Sequence, residues 1–83
     1  MTKTLAIQAQ EELDARGLNC PEPLMLVRNK VRKMKSGEIL HICATDPTTE
    51  RDLNQFCTFL GHSMLRCSEA SGVYEFWIQK SSA

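Results

Sequence analysis

Apolar residues recur along this chain with two alternating periods. In "EELDA", residues 11 to 15, polar and apolar positions alternate, with Leu13 and Ala15 on one side, the pattern of a short half-buried strand. From Pro21 to Ser36 the spacing turns helical: Leu24, Val27, Val31 and Met34 form a stripe, while Arg28, Lys30, Arg32, Lys33 and Lys35 occupy the remaining surface. Residues 38 to 45, "EILHICAT", return to alternation, with Leu40, Ile42 and Ala44 on one face and Ile39, His41 and Cys43 on the other. Leu53, Phe56, Cys57 and Leu60 then fall at i, i+3, i+4 and i+7, the stripe of a second helix. Finally "SMLRCSEA" and "VYEFWIQK" flank Ser71-Gly72 and read as a hairpin, with a short tail behind it.

End signals support both helices. Pro21 suits a first helical position with Cys20 as the residue capping it; Glu22 and Lys35 match the two poles of the macrodipole, and Gly37 can close the helix. Asp46 offers an N-cap to the second helix, Pro47 a first position and Glu50 a first-turn acid, and Gly61 ends it. The order β-α-β-α-β-β with crossovers of this length predicts an α/β two-layer sandwich: a mixed four-stranded sheet with two helices on one face. Tyr74, Phe76 and Ile78 then join the core, and Trp77 faces the uncovered side.

Composition limits what such a domain can do. With 83 residues, 42% hydrophobic and 24% charged, the chain reads as a single domain over residues 1–83, with residues 1–10 as a flexible N-terminal segment and 81–83 as a tail. A chain this short buries only about 60% of the surface that its unfolded form exposes, which leaves little room for a deep cleft. Ten Lys and Arg balance ten Asp and Glu, so no global field draws the protein to nucleic acid or anionic lipid. The first twelve residues lack the apolar core of a signal peptide, and no window approaches the roughly 18 apolar residues of a membrane span. The expectation is a soluble, cytoplasmic protein that binds neither membrane nor, stably, nucleic acid. In that reducing compartment Cys20, Cys43, Cys57 and Cys67 read as thiols rather than as a disulfide framework.

Cys20 is the candidate for chemistry. It lies in front of the first helix, where Pro21 and Pro23 have no N–H to offer and only those of Glu22 and Leu24 remain near the sulfur. The helix pole favours the thiolate modestly, Glu22 opposes it, and Arg16 reinforces it if its side chain turns inward. No CxxC is present, and neither His41 nor His62 stands by sequence as a base, so an independent hydrolase or redox enzyme is disfavoured. Carriage of a group on sulfur, with activation supplied by another protein, fits better. Cys57 belongs to the apolar stripe, Cys43 and Cys67 read as strand fillers, His41 as a sheet residue and His62 as a loop residue. Cys43, Cys57, His62 and Cys67 show no short ligand spacing, so neither a metal nor a cofactor is expected. The basic face of the first helix reads as solvated, with docking on RNA or an acidic protein surface as the sharper alternative.

"LDARGLNCPEPLMLVRNKVRKMKSGEIL" resembles the TusA, or SirA-like, family of sulfur carriers, whose signature Cys-Pro-x-Pro is here Cys20-Pro21-Glu22-Pro23. The likeness runs from about Leu13 to Lys80 and takes in Asp46-Pro47 and "FCTF" at 56 to 59. It implies the same two-layer fold and a sulfurtransferase-type carrier. Cys20 would receive sulfane sulfur as a persulfide from a cysteine desulfurase and pass it to a downstream Tus relay complex, toward 2-thiouridine at the wobble position of certain transfer RNAs. By the same likeness Pro21, Pro23 and Gly17 would support the site, and Glu22 and Arg28 would contact partners. Sister carriers that serve sulfur oxidation or selenium metabolism, and a regulatory module acting through the basic helix, are the alternatives.

Overall fold

The computed structural model describes residues 7–81. Of the expected terminal segments, residues 1–6 and 82–83 lie outside the described residues, whereas Gln10 exchanges two hydrogen bonds with the backbone of Ile39. The elements are β1 (Glu11–Ala15), α1 (Glu22–Lys33), β2 (Ile39–Ala44), α2 (Thr49–Leu60), β3 (Ser63–Ala70) and β4 (Val73–Gln79). They form the expected two-layer α/β sandwich. Among the described residues no helix is long and apolar enough to cross a membrane.

The sheet order is β1-β2-β4-β3, with β1 parallel to β2 and the other neighbours antiparallel. From β1 to β2, and from β2 over β4 to β3, the chain moves across the sheet in the same direction. Two right-handed crossovers made in one direction put both helices on the same face. One core results, built from Val27 and Val31 of α1, Leu53, Phe56 and Cys57 of α2, and Leu40, Ile42, Ala44, Phe76 and Ile78 of the sheet. Tyr74 packs at its margin, as the alternation predicted, and Trp77 stands on the helix-free face. Ser71 and Gly72 both take positive φ, 54° and 82°, the pair of values that a two-residue turn matched to the strand twist requires.

The element ends depart from the sequence reading. Pro21, after a cis Cys20-Pro21 bond, occupies the N-cap of α1, and Cys20 therefore lies one residue farther out than expected. At the other end Met34, in extended conformation, stops α1; Gly37 shapes the turn into β2 instead. Thr48, not Asp46, is the N-cap of α2, because the Asp46 carboxylate accepts the Thr48 N–H and hydroxyl, both at 2.9 Å, and turns the chain before the helix starts. Leu60 does not join the core and is 53% exposed.

Candidate functional site

The Cys20 thiol is exposed on the loop between β1 and α1. Several hydrogen bonds hold that loop, among them one from the Leu18 N–H to Ala15 O at 3.3 Å. Gly17 donates its N–H to Thr45 Oγ1 at 2.9 Å from a backbone at φ +84°, a conformation in which any side chain would be strained. Asn19 O accepts the Glu22 N–H at 2.8 Å. The Cys20 N–H donates to Asp46 Oδ2 at 2.7 Å, so one carboxylate ties the cysteine loop to the entrance of α2. Pro23 is fully buried and pins the first turn of α1 into the core, whereas Pro21 and Glu22 are exposed.

The sulfur's electrostatic partner comes from α2. Cys20 Sγ lies 3.2 Å from Asp52 Oδ2, which accepts the thiol hydrogen. That hydrogen bond, with desolvation and the negative charges of Asp52 and Asp46, raises the thiol pKa above its ordinary value despite a lowering contribution from Thr48. The sequence left the sign of this balance open between Glu22, Arg16 and the helix pole. The fold decides it with other residues. The Glu22 N–H is taken by Asn19, and Arg16 turns back to Asp14 in a two-pronged pair with both bonds at 2.9 Å. That pairing holds Asp14 at a pKa of about 2.

A shallow groove adjoins the sulfur between the two helices, lined by Leu24, Arg28, Asp52, Phe56, Phe59 and Leu60. Its rim is apolar and open, with Phe59 89% exposed. Arg28, which the family likeness offered as a partner contact, lines this groove. The remaining cysteines are dispersed. Cys57 is buried, which pushes its thiol up to about 11; Cys67 is exposed, 3.7 Å from Glu50 Oε2. Cys43 is half-buried on the helix-free face beside His41 and Glu75.

Asp52 and Asp46 are the site residues that the sequence reading missed. Asp46 was visible as a helix-entry residue, but its second role, at the Cys20 amide, depends on a contact 26 positions away along the chain.

The fold and this site define a small α/β domain that presents one loop thiol, backed by carboxylates, beside an open apolar groove. The family model described as "Sulfurtransferase TusA" matches residues 11–80. The sulfur carrier protein TusA of Pseudomonas paraeruginosa (strain PA7) is 51% identical over 70 residues, covering 84% of this chain and 89% of that protein. Its counterpart in Pseudomonas putida (strain W619) is 50% identical over 70 residues, with 84% and 88% covered. A crystal structure of a SirA-like protein from Desulfitobacterium hafniense shares the fold, with a TM-score of 0.76 at 18% identity over 86% of this chain and 97% of that one. The chain belongs to the TusA family of sulfur carriers.

Proposed function

We propose that Cys20 accepts sulfane sulfur from a cysteine desulfurase and holds it as a persulfide for a downstream Tus relay, which ends in 2-thiouridine at the tRNA wobble position in the cytoplasm. The observation that carries this reading is the exposed Cys20 sulfur at the head of α1 in a chain of the sulfur carrier family.

The transfer step needs little machinery. The Cys20 sulfur attacks the outer sulfur of the donor's persulfide; the new S–S bond forms on Cys20 as the donor's S–S bond breaks. The donor cysteine leaves as a thiolate and takes up a proton, while Cys20 gives one up, so charge and oxidation state balance. Asp52 Oδ2 is the acceptor already holding the departing hydrogen. In the resting carrier the same carboxylate favours the thiol over the thiolate. A donor that presents a cation to Asp52 and Asp46 relieves that bias on docking, so the carrier gains nucleophilicity where it is used. The groove lined by Arg28 and Phe59 supplies adjoining apolar area for such a partner.

Incubation with a desulfurase and free cysteine, followed by intact mass measurement, should show a gain of one sulfur atom that a reductant removes. Cys20→Ser should show none. Loading that persists in Cys20→Ser, or that maps to Cys67, rejects the assignment.

A further inference from the structure

The helix-free face of the sheet carries a second group of side chains, which the sulfur-transfer reading does not use. His41 and Cys43, two apart on β2, point to that face together, and the register sets Glu75 of β4 opposite Cys43 and Glu12 of β1 opposite His41. His41 Nε2 lies 3.4 Å from Glu75 Oε2, and Cys43 Sγ lies 3.9 Å from each of those two atoms. Three atoms with lone pairs thus converge on one point.

Their spacing is close to that of a coordination sphere. Zinc bonds of about 2.0–2.1 Å to nitrogen, 2.3 Å to sulfur and 2.0–2.2 Å to oxygen, set at tetrahedral angles, put ligand atoms roughly 3.3–3.6 Å apart. The nitrogen–oxygen separation already falls in that range, and the sulfur needs to move by a few tenths of an ångström. The other ring nitrogen is also in place. His41 Nδ1 lies 2.7 Å from Glu12 Oε1, and a hydrogen on Nδ1 donated to that carboxylate leaves the Nε2 lone pair directed at the cluster. Trp77 stacks on the imidazole at 4.6 Å between ring centroids, with the Arg66 guanidinium over the indole at 5.5 Å, so the ring is held before any ion arrives.

We propose that His41, Cys43 and Glu75 form a zinc site on the helix-free face, with Glu12 orienting His41. One nitrogen, one sulfur and one oxygen suit a borderline-soft divalent ion and not magnesium or calcium, which take oxygen shells. On binding, the Cys43 S–H bond breaks, its proton goes to water and the sulfur bonds the ion; nothing is oxidised. Three protein donors leave a fourth position for water.

The test uses the whole chain, reduced and freed of metal, with cobalt(II) as the spectroscopic probe and zinc as competitor. Cobalt should saturate at one equivalent with the strong visible absorption of tetrahedral coordination and a thiolate-to-cobalt band in the near ultraviolet, and zinc should abolish both. The double variant Cys20→Ser/Cys67→Ser should retain the spectrum, and Cys43→Ser should lose the thiolate band. Glu12→Gln should weaken binding by about 10–100-fold, the usual cost of losing a carboxylate behind a histidine ligand. Glu75→Gln, a change at the surface of the face, keeps the test open if Cys43→Ser does not fold, and should also lose tetrahedral absorption. Wild-type Tm should rise with added zinc. A weak octahedral spectrum, a thiolate band that survives Cys43→Ser, one that is lost with Cys20 and Cys67, or an unmoved Tm overturns the proposal.

Discussion

Asp52 reaches the Cys20 sulfur from another helix, 32 positions along the chain, and its effect runs against what the thiol's position at a helix head would give. A helix pole favours a thiolate; a carboxylate that accepts the thiol's hydrogen, with its own negative charge close by, favours the thiol, and here the carboxylate wins. Replacing the carboxylate by an amide weakens the hydrogen bond that is the first cause of the raised pKa and removes the negative charge beside it, so Asp52→Asn should increase the thiolate fraction near pH 8. Alkylation of Cys20 by iodoacetamide should then run several-fold faster than in wild type. An unchanged rate would mean that Asp52 does not control the sulfur. Cys20 itself was legible in the sequence because two prolines announce the helix behind it. Its controlling partner was not, because nothing local records which turn of α2 packs against the β1–α1 loop. Arg16, the cation that sequence proximity offered, has a nearer acid in Asp14, and a two-pronged pair with a residue two positions away outcompetes a reach toward the sulfur.

Among the elements, α2 shows what an apolar stripe can and cannot tell. Leu53, Phe56 and Cys57 are buried as their spacing predicts, but Leu60 is not. Leu60 lies at the end of the helix, where Arg28 and Arg32 of α1 flank Val31 and leave it half exposed, so the stripe runs past the core into the groove. Phe59 lies outside the stripe and is nearly fully exposed. A surface position of this kind contributes little to folding, so Phe59→Ser should alter stability by no more than about 0.5 kcal/mol. It should nonetheless slow sulfur loading by a desulfurase. Thermal melts and loading rates on the same preparation separate the two effects; an unchanged rate removes the groove from the docking surface. The helix starts misled for a related reason. Asp46 has the composition of an N-cap, yet one of its oxygens serves Thr48 and the other serves Cys20, so the helix begins later.

The two-layer architecture was the most legible level, because the hydrophobic periods mark helices of crossover length between strands, and the usual right hand of such crossovers sets both on one face; the place of β4 between β2 and β3 came only from the structure. What periods do not reveal is register. His41 and Cys43 were placed correctly on one face, but the approach of Glu75 and Glu12 depends on how β4 and β1 align with β2. Global stability carries its own prediction through Cys57. Burial disfavours the thiolate and pushes its folded pKa up to about 11, above the ordinary thiol value of 9.0. The unfolded chain therefore loses this proton first as pH rises, and stability present below pH 9 declines between about 9 and 11, by on the order of 2 kcal/mol from this group. Cys57→Ala should flatten that alkaline decline in denaturant titrations; an equal slope in both proteins would contradict it.

If Cys20 bears the sulfur as proposed, the clasp that Asp46 forms between the Cys20 amide and the start of α2 also sets how cargo changes hands. A carrier built on a long flexible arm can swing its load across a gap to a waiting enzyme. Here the loaded atom sits on a leash only one side chain in length, anchored at its root to the body of the domain. Donor and acceptor must each bring their chemistry to the carrier's surface, in turn and at the same spot, so the two handovers exclude one another by geometry alone.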